Sequence, residues 1–197
     1  MSKTEEQTRE RILMAALALF AEHGIARTSL DEVAYQAGLT RVTVYRYFAD
    51  KKDLVHKTFL RVERVFQDAL DELAQSPDPE QIEWEAAMTR IGQGLSILPR
   101  TDVFARTEEL KRLYPDVYAA VQDVRAETLN RMFDRFFALA ERQDLLRPGI
   151  NRPIVQHLYW VLMLNIFESP QLRSFGLTDA ELYRLMTDIL LHGVLKR

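Results

Sequence analysis

The stretch TSLDEVAYQAGLTRVTVYRYF, residues 28–48, decides the fold. Thr28 or Ser29 caps a short helix whose first turn carries Asp31 and Glu32, acids that complement the positive end of the helix dipole. Gly38 ends it, because glycine takes the left-handed conformation that turns the chain at no steric cost. Thr40 then caps a second short helix, Arg41 to Tyr47. Two short helices joined by a tight glycine-containing turn make a helix-turn-helix. Ala34 is small where the helices approach, and Leu39 and Val44 fill the space between them and a preceding helix. The outer face keeps Arg41, Thr43, Tyr45, Arg46 and Tyr47: two cations, a hydroxyl and two aromatics that also donate hydrogen bonds. Such a face suits a DNA groove better than a protein interior.

Charge sharpens this reading. The formal net charge of the chain is −3, so it is no polycation. Between Arg41 and Lys52, however, four cations (Arg41, Arg46, Lys51, Lys52) face the single acid Asp50, whereas acids outnumber bases from Leu54 onward. One short basic stripe on a neutral-to-acidic body predicts local anion contact.

Working outward, apolar residues recur at helical spacing and nothing reads as a strand. The fold class expected is all-α. A first helix runs from Thr4 to His23, with Ile12, Leu13, Ala16, Leu17, Leu19 and Phe20 on one face and Gly24 as its stop. Asp50 caps a long fourth helix that reaches Gln75 and ends at Ser76-Pro77-Asp78-Pro79. Further helices are expected at Glu80–Leu98, Asp102–Leu113, Asp116–Gln143, Pro153–Glu168 and Thr178–Leu195, with Pro99, Pro115, Pro148-Gly149 and Pro170 as breaks. Long amphipathic helices with short connections form a bundle.

The absence of cysteine removes disulfides, cysteine-based metal centres and a thiol nucleophile. The polar start, Met1 to Glu10, is not a signal peptide. The most apolar run, Leu158 to Phe167, is broken by Asn165 and too short to span a bilayer. A soluble, cytoplasmic protein without membrane contact is expected.

Gly24-Ile25, Thr28 through Ala34, Ala37-Gly38-Leu39-Thr40, Val44-Tyr45-Arg46-Tyr47-Phe48 and Lys51-Lys52-Asp53-Leu54 together resemble the N-terminal signature of the TetR family of transcriptional repressors. The resemblance is strong over about the first 55 residues. It implies a nine-helix fold with a three-helix DNA-binding head, residues 1–53, and a ligand-binding and dimerising helical body, residues 54–197. Carried over position by position, it implies that Arg41, Thr43 and Tyr47 face bases or adjacent phosphates. Tyr45 and Lys51 would grip the phosphate backbone, Lys51 from a helix N-terminus. Thr28 and Ser29 would meet a phosphate at the second helix. Val42 departs from the small residue common in the family and reads as a thymine-methyl contact. The cap Thr40 and Arg46 complete the expected interface; Lys52 reads as solvated.

The last helix carries Leu182, Leu185, Met186, Ile189 and Leu190 as an apolar stripe, and the eighth carries Leu158, Leu162 and Ile166. In the family these helices pair with their symmetry mates, so they are the expected homodimer interface. Candidate walls of a mostly apolar effector pocket are Trp84, Met88, Phe104, Glu108, Phe133, Phe137, Trp160, Met163 and Asn165. The expected partners are a double-stranded operator, a small effector and a second copy.

A helical bundle can also house a di-metal enzyme, which needs Glu plus Glu-x-x-His on facing helices. None of His23, His56, His157 and His192 follows a glutamate at that spacing. No phosphate loop or nucleophile elbow occurs. No catalytic residue, metal or cofactor is therefore expected, and the rivals are a metal-dependent bundle enzyme and a ligand-independent DNA-binding protein.

Overall fold

The computed structural model describes residues 3–74, 106–166, 169–177 and 179–195. Nine helices occur among them: α1 (Lys3–His23), α2 (Leu30–Gln36), α3 (Arg41–Tyr47), α4 (Lys51–Ala74), α5 (Thr107–Leu113), α6 (Pro115–Arg142), α7 (Arg152–Ile166), α8 (Pro170–Ser174) and α9 (Asp179–Val194). Among the described residues the only extended pairing is a single antiparallel bridge, Leu146 with Leu195. No helix described is long and apolar enough to cross a membrane. The helix expected at Glu80–Leu98 lies outside the described residues.

Local chemistry explains the boundaries. Gly24, at φ +90°, ends α1. At the start of α4, Asp50 Oδ1 accepts from the Asp53 amide at 2.8 Å and Asp53 Oδ2 accepts from the Ala49 amide at 3.0 Å. Asp50 is the cap expected, and Asp53 reaches back one residue beyond it. Pro115 opens α6, where its missing N–H costs nothing. Pro170 departs from expectation. It does not merely break the chain but opens the five-residue helix α8, whose Leu172 amide donates to the Ser169 hydroxyl at 3.4 Å.

Contacts gather the described residues of Met1–Arg64 and Leu98–Val124 into one compact unit, and those of Val65–Ile97 and Arg125–Arg197 into another. The division thus falls inside α4 and α6. In the first unit, Ile12, Ala16 and Phe20 of α1, Val33 and Ala34 of α2, Val44 of α3 and Phe48 form a buried core with Leu54, Val55 and Phe59 of α4 and with Leu110, Val117 and Val121. The two short helices α2 and α3 hold their shape because α1, α4, α5 and the start of α6 complete that core. Seven-residue helices are marginal alone and draw their stability from such packing.

The second unit is centred on aromatic rings. Phe133 meets Tyr159 edge to face at 4.9 Å and stacks on Phe137 at 6.1 Å, while Phe136 meets Phe137 at 5.2 Å. Leu182, Met186 and Val194 of α9 are also buried. Arg152 lies over the Phe137 ring at 4.9 Å and pairs with Glu141 at 3.0 Å.

Candidate nucleic-acid interface

The site is built from the turn outward. The Leu39 amide donates to the Ala34 carbonyl at 2.9 Å and the Gly38 amide to Tyr35 at 3.0 Å. With Gly38 at φ +63°, this is a Schellman motif, and the Arg11 guanidinium further caps the Ala37 carbonyl. The motif turns the chain sharply into α3. Thr40 caps α3, its Oγ1 accepting from the Thr43 amide at 3.2 Å and meeting Thr43 Oγ1 at 2.8 Å. Val44 alone in α3 is fully buried, which leaves most of the helix surface outward.

That surface holds the expected groups. Arg41 is exposed; its Nη1 donates to Asp31 Oδ2 at 3.2 Å and its Nη2 to the Tyr45 hydroxyl at 3.4 Å. Its guanidinium carbon sits 5.4 Å from the Tyr45 ring centre. Hydrogen bonding to Tyr45, then the charge of Asp31, raises the Arg41 pKa above its ordinary value. Val42 is 80% exposed, a large apolar side chain in water on an otherwise polar face. Arg46 stacks on Tyr47 at 5.2 Å and donates to its hydroxyl at 3.3 Å. Tyr47 is half-buried against the core.

Lys51, the first residue of α4, donates from Nζ to the Ala26 carbonyl at 3.0 Å. Burial lowers its pKa, against the opposing charges of Glu109 and Glu32. Lys52 pairs with Asp116 at 2.7 Å, which raises its pKa chiefly through that hydrogen bond. Lys52 therefore has a protein partner rather than the purely solvated position expected.

Two expectations on α2 change. Thr28 is buried and its Oγ1 donates to the Gly24 carbonyl at 2.8 Å, so it closes the preceding turn and presents nothing to a phosphate. Ser29 is the cap. Its Oγ accepts from the Glu32 amide at 3.2 Å, and its own amide and hydroxyl donate to Glu32 Oε2 at 2.7 and 2.8 Å. The amide bond first, then the hydroxyl bond, holds the Glu32 carboxyl below its ordinary 4.5. A lowered folded pKa stabilises the fold above 4.5, and the gain is lost as pH falls through the lower folded value. Glu32→Ala should accordingly lower Tm near neutrality. The gap to the unmodified protein should narrow well below pH 4.5, and a gap independent of pH would refute the reciprocal cap.

Three residues outside the expected set matter here. Tyr35 is 87% exposed on α2, whose inner face is already supplied by Leu30, Val33 and Ala34. Asp31 holds Arg41. Glu109 of α5 accepts from the Ile25 and Ala26 amides, both at 2.9 Å, and so clasps the turn after α1. The Tyr35 signal lay in the sequence, as an aromatic beside a complete apolar face; a contact across more than eighty residues, like that of Glu109, has none.

The other expected residues are scattered. Glu108 is exposed beside Lys111 at 4.0 Å, so the inward acid of the pair is Glu109. Phe133 and Phe137 are closed into the aromatic core, and Trp160 is half-buried. Trp84, Met88 and Phe104 lie outside the described residues. Met163, Asn165 and Ile166 are in α7 and Leu190 is in α9, with their side chains outside the described set. Of the expected interface, Leu158, Leu162, Leu185 and Ile189 are half or more exposed. Leu182 and Met186 are instead buried in their own unit, on the flank of the same apolar stripe that turns toward its core.

The geometry defines a helix-turn-helix protein with an open recognition helix. The family model for bacterial regulatory proteins of the tetR family matches residues 12–58, the part of the chain that holds the helix-turn-helix. It is 33% identical over 116 residues to the transcriptional regulator AcrR of Shigella flexneri, covering 57% of this chain and 48% of that one. The chain thus spans about half the length of that relative. It is 29% identical to the transcriptional repressor LfrR of Mycolicibacterium smegmatis, covering 85% of this chain and 82% of that one. The solved complex of SmeT with triclosan superposes with a TM-score of 0.68 at 26% identity, over 96% of this chain and 92% of that one. These relatives are regulators, not enzymes.

Proposed function

We propose that this chain is a ligand-responsive transcriptional regulator, a repressor, that binds a pseudo-palindromic operator as a homodimer. The carrying observation is the outward face of α3, with Arg41, Val42, Thr43 and Tyr45, followed in the chain by Lys51 at the head of α4. Two such helices enter successive major grooves, with half-sites roughly 34–36 Å apart. Arg41 and Thr43 read base edges, Val42 touches a thymine methyl, and Tyr45, Arg46 and Lys51 hold phosphates. Ser29 and Thr40 position these groups through their caps, and the Tyr47 hydroxyl reaches the adjacent backbone. The reading groups all fall within residues 1–53.

The second copy docks on the exposed apolar face of α7 and α9. A small, mostly apolar effector in the helical body releases the DNA; that SmeT was solved with triclosan supports such a ligand. An effector that prefers the DNA-free conformation shifts the equilibrium by its differential affinity, acting through α4, whose first residue is Lys51. A regulator of this kind works in the cytoplasm.

The test is in vitro selection of DNA by the purified protein, followed by binding at several salt concentrations. Tyr45→Ala and Lys51→Ala should weaken binding to all sequences and reduce the salt slope by about one. Arg41→Ala and Thr43→Ala should also relax preference at particular bases. Full affinity retained by the Tyr45 variant, or no selected motif at all, would sink the reading.

A further inference from the structure

Arg41 stands at the first position of α3, where a cation opposes the positive end of the helix dipole. No acid occupies the first turn of that helix to compensate. The compensating charge comes from another helix: Asp31 of α2, ten residues away in sequence, at 3.2 Å from Arg41 Nη1. Both side chains are about 60% exposed, and ion pairs in such positions contribute little to stability. The dipole of α2 accounts for an acid at Asp31 but not for its pairing with Arg41. A carboxylate on a face that meets phosphates also repels DNA, so for binding in general it is a disadvantage.

The geometry around Arg41 supplies the reason. Asp31 holds Nη1, the Tyr45 hydroxyl accepts from Nη2 at 3.4 Å, and the Tyr45 ring lies against the guanidinium at 5.4 Å. A guanidinium has five N–H donors in a rigid planar fork. Two are engaged by these partners, and the remainder suffice for the paired contact that arginine makes with guanine O6 and N7. The Tyr45 hydroxyl keeps its own hydrogen for a phosphate.

We propose that Asp31 is a positioning residue for base readout: by fixing the Arg41 guanidinium, it sets the preference for guanine at one position of each half-site. This rests on the DNA-binding reading above. A long flexible side chain held in its reading orientation loses less rotamer freedom on binding. A free arginine can also swing to the nearest phosphate, which carries no sequence information. The carboxylate therefore exchanges some general affinity for discrimination.

The experiment compares selected motifs and affinities for selected and random duplexes. Arg41→Ala first identifies the base position that Arg41 reads. Asp31→Ala should relax preference at that same position, by roughly 3- to 10-fold of the 5- to 150-fold that a good bidentate contact supplies. Its affinity for random duplex should stay level or rise. Asp31→Asn, which keeps an acceptor without the charge, should retain more of the preference than Asp31→Ala. Adding Asp31→Ala to Arg41→Ala should have no further effect on that position. An unchanged motif in Asp31→Ala would overturn the proposal, as would relaxation elsewhere in the half-site or lost affinity for random duplex. A wild-type protein that selects no motif would defeat the DNA-binding reading itself and this inference with it. A wild-type motif shared unaltered by Asp31→Ala defeats the inference alone.

Discussion

Glu109→Ala should destabilise the first unit by about 2–4 kcal/mol, less than the full ~3–6 kcal/mol of two hydrogen bonds to a charged acceptor because the Ala26 amide is open to water. The Glu109 side chain is only 15% exposed, and its two oxygens accept from the Ile25 and Ala26 amides at 2.9 Å. These amides lie in the turn after α1, where neither helix supplies an acceptor. Removing the carboxylate leaves them to whatever water can enter. Two further contacts converge on the same turn. Arg106 Nη2 donates to the Ala21 carbonyl at 3.2 Å, and Lys51 Nζ donates to the Ala26 carbonyl at 3.0 Å. Gly24 shares in the arrangement: a Cβ there would stand 3.0 Å from Glu109 Oε2, on a backbone whose φ of +90° already excludes most residues. Urea unfolding followed by circular dichroism measures the effect. Glu109→Gln, which keeps one good acceptor, should lose about half as much. A loss below about 0.5 kcal/mol in Glu109→Ala would show that the clasp does no more than an ordinary surface contact.

The second large effect is expected on assembly. Ile154, Leu158, Val161 and Leu162 of α7 and Leu185 and Ile189 of α9 are 42–63% exposed, and α7 packs against α9. Their spacing puts those on α7 along one helical stripe, and the pair on α9 along another. A contiguous apolar patch of this kind marks an association surface, and the same patch on each copy makes an isologous interface. In the proposed homodimer, Leu158→Asp with Ile189→Asp should convert the assembly into a folded monomer, because each charge would be desolvated against its symmetry-related neighbourhood. Operator affinity should fall on the order of 100-fold as the two half-sites lose their tether. Light scattering after size exclusion reads the first outcome and operator titration the second. A dimer of unchanged stability would place the interface elsewhere.

The outward face of α3 was legible because its determinants are local. Caps, the glycine turn and the alternation of Val44 with outward residues lie within twenty-one consecutive positions, and the spacing of a short helix assigns each side chain to a face. Where two local readings competed, as between Thr28 and Ser29, periodicity could not choose. Burial did: the Thr28 hydroxyl is consumed by the Gly24 carbonyl, leaving Ser29 as the cap. The apolar stripe of α9 shows the same limit. Leu182, Leu185, Met186 and Ile189 are equally apolar, yet a helix packed on one side buries the first and third and exposes the others.

The sequence by itself determined the helix-turn-helix, its caps and the chemical character of the α3 surface, since each depends on residues within a turn or two of one another. Tertiary structure alone decided that Asp31 pairs with Arg41, that Glu109 rather than Glu108 turns inward, and that Phe133 closes on Tyr159 and Phe137. Those outcomes depend on which helices come side by side. Packing sets that by filling a shared core, and no spacing along one helix encodes it.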